Sequence, residues 1–209
     1  MKKLAAMFVV VALLGVAGCG KTEGGGGGGG SSTTFSNPLP LSVGNWWAYV
    51  ESDSTRDTLF IRGTTNMNGK EVFVGVSMPE GDTSYFYLEN GYIHEIHDIE
   101  NVGMVDMKFL KVPLSVGDQW SVYASSDTSW SFTMTAEADG TEDIHVPAGD
   151  FSTIRVVYTT ITTMTFNGQT FADTTYDYAY YADNVGVVKT RDVGRAETNV
   201  SELENYHTE

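Results

Sequence analysis

Along residues 46–209 the hydrophobic positions recur every second residue and scarcely ever at the 3.6-residue period of a helix. In SWSFTMTAEA, Trp130, Phe132, Met134, Ala136 and Ala138 share one face, while Ser129, Ser131, Thr133, Thr135 and Glu137 share the other. A half-buried strand requires that alternation. TLFIR, EVFVGVSM, SYFYL, YIHEI, STIRVVYTTITTM and TTYDYAYYA are similarly rich in β-branched and aromatic residues. Between such runs stand Asn68-Gly69, Asn90-Gly91, Asp139-Gly140 and Asn167-Gly168. These dipeptides accept the positive φ of tight hairpins, so each is expected to be a turn. No window joins an N-cap, an i, i+3, i+4, i+7 stripe and a C-cap. The pattern predicts an all-β fold, a curved antiparallel sheet forming a half-barrel or sandwich, with little or no helix beyond the N-terminal segment.

That segment has a different pattern. Lys2 and Lys3 precede an uncharged run, residues 4–18, that ends in Val16-Ala17-Gly18-Cys19. A basic start, a short apolar stretch and small residues at its end mark a secretory signal. Fifteen residues are too few to span a bilayer, which takes roughly 20. VAGC resembles the lipobox of bacterial lipoproteins, with Val16 where leucine is commoner. The resemblance implies cleavage before Cys19, recognition through Val16, Ala17 and Gly18, and acylation of the Cys19 thiol. One short acyl chain anchors only marginally, so the several chains of a lipoprotein cysteine matter to retention. Seven glycines, Gly24 to Gly30, and Ser31-Ser32-Thr33-Thr34 follow. This composition makes a flexible tether with a reach of ~25 Å. No strand, helix or G-x-x-x-x-G-K-[ST] pattern frames the glycines, so a phosphate-cradling loop is excluded. The expected organisation is a signal peptide over 1–18, a lipidated cysteine and disordered tether over 19–38, and one β domain over 39–209.

Within that domain Pro40-Leu41-Ser42-Val43-Gly44 recurs 73 residues later as Pro113-Leu114-Ser115-Val116-Gly117, and each copy leads to a tryptophan, Trp47 or Trp120. Two related β-units are expected, 39–112 and 113–209. No linker divides them at Val112-Pro113, and joined half-sheets bury each other's apolar faces, so they form one domain.

Composition narrows the function. Removing Lys2 and Lys3 from the 12 basic residues leaves 10 against 27 acids, a net charge of −17. A nucleic-acid partner is excluded for want of a basic footprint. Cys19 is the only cysteine, so an acylated chain holds no disulfide and the fold must rest on its core. About 170 residues suffice, burying roughly 70% of the unfolded surface.

Candidate catalytic chemistry is thin. His94 and His97 are spaced H-x-x-H, but residues three apart on a strand point to opposite faces, which denies them a shared metal unless that hairpin is bulged or helical and leaves ordinary surface or edge positions. Glu137-Ala138-Asp139-Gly140-Thr141-Glu142-Asp143 lacks the ligand spacing of a calcium loop and reads as an Asp-Gly turn. No nucleophile elbow is present. A non-catalytic domain without metal or cofactor is expected. The aromatic residues are the remaining signal: Trp47 and Trp120 head the two units, and Tyr176, Tyr178 and Tyr180 stripe one face of a strand. Core packing accounts for them, and contact with an apolar or carbohydrate ligand on a concave face is the functional alternative.

Gly44 and Trp47, Gly117 and Trp120, Pro147 to Phe151, and Tyr181 to Lys189 together resemble a motif set of uncharacterised bacterial envelope lipoproteins. That set comprises a G-x-x-W opening, a P-A-G-x-F turn and a Y-A-x-x-V-G-x-V-K hairpin, and it spans nearly the whole exported domain. More distantly these chains resemble periplasmic lipoprotein-carrier half-barrels. The resemblance implies a lipid-anchored envelope protein. Gly20 is not the aspartate associated with inner-membrane retention, which favours the outer membrane. The expected function is a binding or interaction module whose partner is an envelope protein or surface polymer. The alternative is a carrier or sensor of a lipid-like ligand, and an enzyme is a distant third.

Overall fold

The computed structural model describes residues 33–99, 103–167, 169–193 and 198–209. Val16, Ala17, Gly18, Cys19 and the glycine run lie outside the described residues. A short β1 (Thr34–Phe35) leads into a six-stranded meander: β2 (Trp46–Glu51), β3 (Arg56–Met67), β4 (Lys70–Met78), β5 (Thr83–Glu89), β6 (Tyr92–Ile99) and β7 (Gly103–Lys111). After β8 (Leu114–Ser115) comes a second: β9 (Gln119–Ser126), β10 (Trp130–Val146), β11 (Gly149–Phe166), β12 (Gln169–Ala182), β13 (Gly186–Val193) and β14 (Thr198–His207). Among the described residues there is no helix.

The meanders join through their outer strands, β2 against β14, into one twelve-stranded antiparallel sheet, β7-β6-β5-β4-β3-β2-β14-β13-β12-β11-β10-β9. The sheet curls until its two edges meet in a nearly closed barrel. The seam between β7 and β9 is made by side chains. Trp120 Nε1 donates to the carbonyl of Lys108 at 3.0 Å, Tyr158 OH donates to the carbonyl of Phe109 at 3.1 Å, and the Lys111 ammonium pairs with Asp118.

Matched geometry opens each meander. Gly44 and Gly117 have φ of 102° and 92°, and their N–H groups donate to Ile61 and Ala138 on the neighbouring strand at 2.9 and 2.8 Å. Immediately beyond those acceptors each neighbouring strand carries a bulge, between Ile61 and Gly63 in β3 and between Ala138 and Gly140 in β10. Asp139-Gly140 is therefore not a turn, as its composition predicts, but the interior of a 17-residue strand. An Asp-Gly pair suits a bulge as well as a hairpin, because the extra residue breaks the ladder locally and bends the strand. Asn68-Gly69 and Asn90-Gly91 do turn, with φ of 52° and 83°, and 53° and 78°. Positive φ at both central positions is the type I′ requirement. Asn167 also has positive φ, at 51°, and its partner Gly168 lies outside the described residues.

Because consecutive strands within each meander pair antiparallel, the turns alternate between two ends. The near end carries Asn68-Gly69, Asn90-Gly91, Pro147-Ala148, Asp183-Asn184 and the entering N-terminal segment, where β1 pairs with β8. The far end carries Ser52–Thr55, Pro79–Asp82, Asp127–Ser129 and Asn167. Trp47, Leu39, Leu114, Trp120, Ile154, Tyr158, Tyr181 and Val187 form one buried apolar cluster. A twelve-stranded enclosure is wider than the eight-stranded barrel that side chains just fill, and large aromatic residues take up the extra width.

Candidate functional site

Directly opposed residues of neighbouring strands share a face, so core positions identify the rest of the lumen. Tyr158 is register-paired with Asp177, Asp177 with Asp192, and Asp192 with Asn199. Val156 pairs with Ala179, which continues through Thr190 and Ser201 to Glu51. Buried Tyr49 pairs with Asp57, and buried Met134 pairs with Thr160. Beyond the apolar cluster, then, the lumen turns acidic and hydroxylic toward the far end. Glu51, Asp57, Asp177 and Asp192 line it half-buried.

The electrostatics of this lining are one-sided. Burial pushes the Asp57 carboxyl up to about 6; the Thr58 N–H opposes that, and Glu80 and Glu51 add to it. Asp177 also rises to about 6, through burial and then the charge of Asp192, while Asp192 rises through burial and then Glu51. Charged neighbours of these three carboxyls are other carboxylates. The nearby cations face outward: Arg56 pairs with Glu204 and Lys189 with Glu202, each at 2.8 Å, and Arg155 grips Asp139 through two 2.8 Å hydrogen bonds. Below the acids lies a tyrosine floor. Tyr158 and Tyr181 hydroxyls are 2.9 Å apart, and Tyr49 OH donates to the Val187 carbonyl at 3.0 Å. Burial raises all three phenols well above their ordinary range.

On the opposite wall Glu95 is buried between Phe86 of β5 and Met107 of β7. Burial pushes its carboxyl up to about 8, and a hydrogen bond from Ser84 pulls the other way. Ser84 Oγ also lies 3.3 Å from His97 Nδ1. His97 and His94 are both buried on an interior strand, which corrects the expectation of surface or edge positions. They do point to opposite faces. His97 faces the lumen, while His94 stacks under Tyr87 on the outer face at 4.6 Å and bonds Asp106 at 2.9 Å. Tyr87 and its neighbours cover His94 there, so an H-x-x-H pair can be buried without sharing a site.

Trp47 and Trp120 are core residues whose indole N–H groups bond carbonyls of Val185 and Lys108. Tyr176, Tyr178 and Tyr180 lie on the face of β12 opposite Tyr181, with the guanidinium groups of Arg155 and Arg191 over the Tyr178 ring at 6.0 and 5.6 Å. Of the stripe, Tyr180 joins the buried cluster that holds both tryptophans, Tyr178 packs against that cluster, and Tyr176 is exposed. The acids that face the lumen, Glu51, Asp57, Glu95, Asp177 and Asp192, were not singled out by sequence reasoning. A signal existed in TTYDYAYYA, where Asp177 shares parity with Ala179 and Tyr181. The Glu137–Asp143 acids belong to β10, and Asp139 is held by Arg155.

Residues 124–204, most of the second meander, match the model of the DUF3108-like family. Comparison with curated proteins gives no match. Two solved structures share the fold. One is a "putative lipoprotein" from Parabacteroides distasonis, 18% identical, with a TM-score of 0.50 over 83% of this chain and 99% of that one. The other is a "putative exported protein with YmcC-like fold" from Bacteroides fragilis, 15% identical, with a TM-score of 0.51 over 84% of this chain and all of that one.

Proposed function

We propose that this chain is a lipid-anchored, non-catalytic protein of the bacterial cell envelope, held at Cys19 on the outer membrane, whose barrel-like domain binds a partner at its far end. One observation carries this reading: the chain enters at the near end, and a row of exposed apolar side chains on one hairpin lies at the other, whereas Val43 and Leu88 are the exposed apolar residues near the entry. At the near end Val116 N–H donates to the Thr33 carbonyl at 3.2 Å, and β1 closes on β8. At the far end the β11–β12 hairpin exposes Phe166 by 71%, Phe171 by 49% and Met164 by 37%. Register places Trp130, Met164 and Phe171 in one row. Exposed apolar groups gathered this way mark interaction sites more often than scattered ones do. The names of the two structural neighbours, a lipoprotein and an exported protein, support an extracytoplasmic setting. Apolar cargo is less favoured, because the apolar interior residues pack on one another and the remaining lumen lining is acidic.

Two experiments test the reading. Cys19→Ala should release the protein from membranes or leave an unprocessed precursor; a variant that fractionates and migrates like the parent sinks the anchor. A photo-crosslinking residue at position 166, in cells, should yield a discrete adduct that the same residue at near-end position 147 does not. Equal adducts from both positions, or none from 166, sink the far-end module.

A further inference from the structure

Three features converge on the far half of the lumen. First, Glu51, Asp57, Asp177 and Asp192 come from four different strands, and no lysine or arginine among the described residues lies on their rows. Second, hydroxyls stand unpartnered beside them. Thr160 and Thr190 are 7% and 9% exposed and face the lumen on the rows of Met134 and Ala179, yet neither side chain has a hydrogen-bond partner among the described residues. Among the described residues no fully buried side-chain polar atom lacks a partner. The two hydroxyls therefore open onto interior space that solvent reaches. Third, the tyrosine floor closes the space below with its own hydrogen bonds satisfied.

Half-burying several carboxyls whose charged neighbours are other carboxylates costs free energy, which the hydrogen bonds from Thr58 N–H to Asp57 at 2.7 Å and from Asn199 Nδ2 to Glu51 at 3.0 Å offset only in part. A bound cation would return the rest. Ammonium groups suit the lining: each has three donors, and Glu51, Asp177, Asp192, Thr160 and Thr190 offer acceptors on several walls. A compact metal ion suits it less, since no group of three His, Cys, Asp or Glu among the described residues converges to hold one.

We propose that the acidic lumen binds a linear organic cation carrying two or more amine groups, with its ammonium ends on Asp177–Asp192 and on Asp57–Glu51 and its donors completing Thr160 and Thr190. This rests on the reading of the domain as a binding module and names the ligand class its interior takes. The raised carboxyl pKa values of Asp57 and Asp177 accord with a site prepared for positive charge.

The test is titration calorimetry on the full-length protein in non-ionic detergent, with spermidine as the probe. Saturable binding of one equivalent is expected. The Asp177→Asn, Asp192→Asn double variant should weaken it at least tenfold, and Thr160→Val about threefold. Glu137→Gln, on the outer face of β10, should leave it within twofold of the parent. Absence of saturable binding overturns the proposal. So does an equal loss in Glu137→Gln, or complete displacement by Mg2+ at matched ionic strength, since either reduces the effect to general screening. Crosslinking from position 166 succeeds or fails independently, so a failed titration is distinguishable from a failed module.

Discussion

Single residues at the lumen carry the clearest pH signature. A carboxyl whose pKa is higher in the folded than in the unfolded chain binds more protons when folded. Its stabilising share is complete below the ordinary pKa and is lost as pH rises through the folded one. For Glu95 the window runs from about 4.5 to about 8. Ionising it at the upper end costs roughly 5 kcal/mol. Glu95→Gln, which keeps the shape and a partner for Ser84, should lose less stability than the parent from pH 6.5 to 8.5, the decline that remains being that of Asp57 and Asp177; parallel curves refute the assignment. Asp177→Asn should raise stability at pH 7.5 by on the order of 1 kcal/mol once solvent screening is allowed for, and by little at pH 4.5. Glu95 was hard to see in the sequence for a physical reason. In YIHEIHDI both parities mix apolar and polar residues, so alternation alone does not choose the core face. Phe86 and Met107 choose it, and they are neighbours only after two other strands pair with β6.

At the scale of elements, the period-two pattern located the strands and the Asn-Gly pairs located two hairpins, because both depend on local geometry. Asp139-Gly140 misled, since the same backbone freedom serves a bulge when the flanking residues continue a ladder, as Ala138 and Thr141 do opposite Val156 and Ile154. Asp139 is then the extra residue of the bulge, and its carboxylate clamps Arg155 of the partner strand. Both side chains are about a third exposed, so Asp139→Asn should cost ~0.5–1 kcal/mol, less at high salt. A urea titration that shows no change at low salt would mean the bulge is held by backbone alone. A larger loss awaits at Gly186, which opens β13 with φ of +113°. A Cβ there would lie 2.9 Å from Trp47 Nε1 and 3.4 Å from Leu39. Gly186→Ala should therefore cost more than 1–3 kcal/mol, combining backbone strain with the displacement of a hydrogen-bonded core indole.

The whole molecule depends on a closure that backbone pairing does not supply. Two six-stranded meanders share the β2–β14 ladder, and their free edges, β7 and β9, meet through side chains. An edge strand held without a ladder exchanges its amides more readily than a central one, because opening it breaks few hydrogen bonds. The Trp120 indole is central to the seam: it donates to Lys108 across it and packs edge-on against Tyr158, which itself reaches the Phe109 carbonyl. Trp120→Phe keeps most of the apolar bulk but removes the donor and leaves the Lys108 carbonyl to find water. A loss of about 1–3 kcal/mol follows from the orphaned acceptor and the smaller ring. Its location is the sharper expectation. Hydrogen exchange should rise first in β7 and β9 while the β2–β14 ladder, a full barrel width away, keeps its protection. If the variant instead raises exchange uniformly, the two meanders open as one unit, and the seam is a consequence of the curl of the sheet rather than what holds it shut.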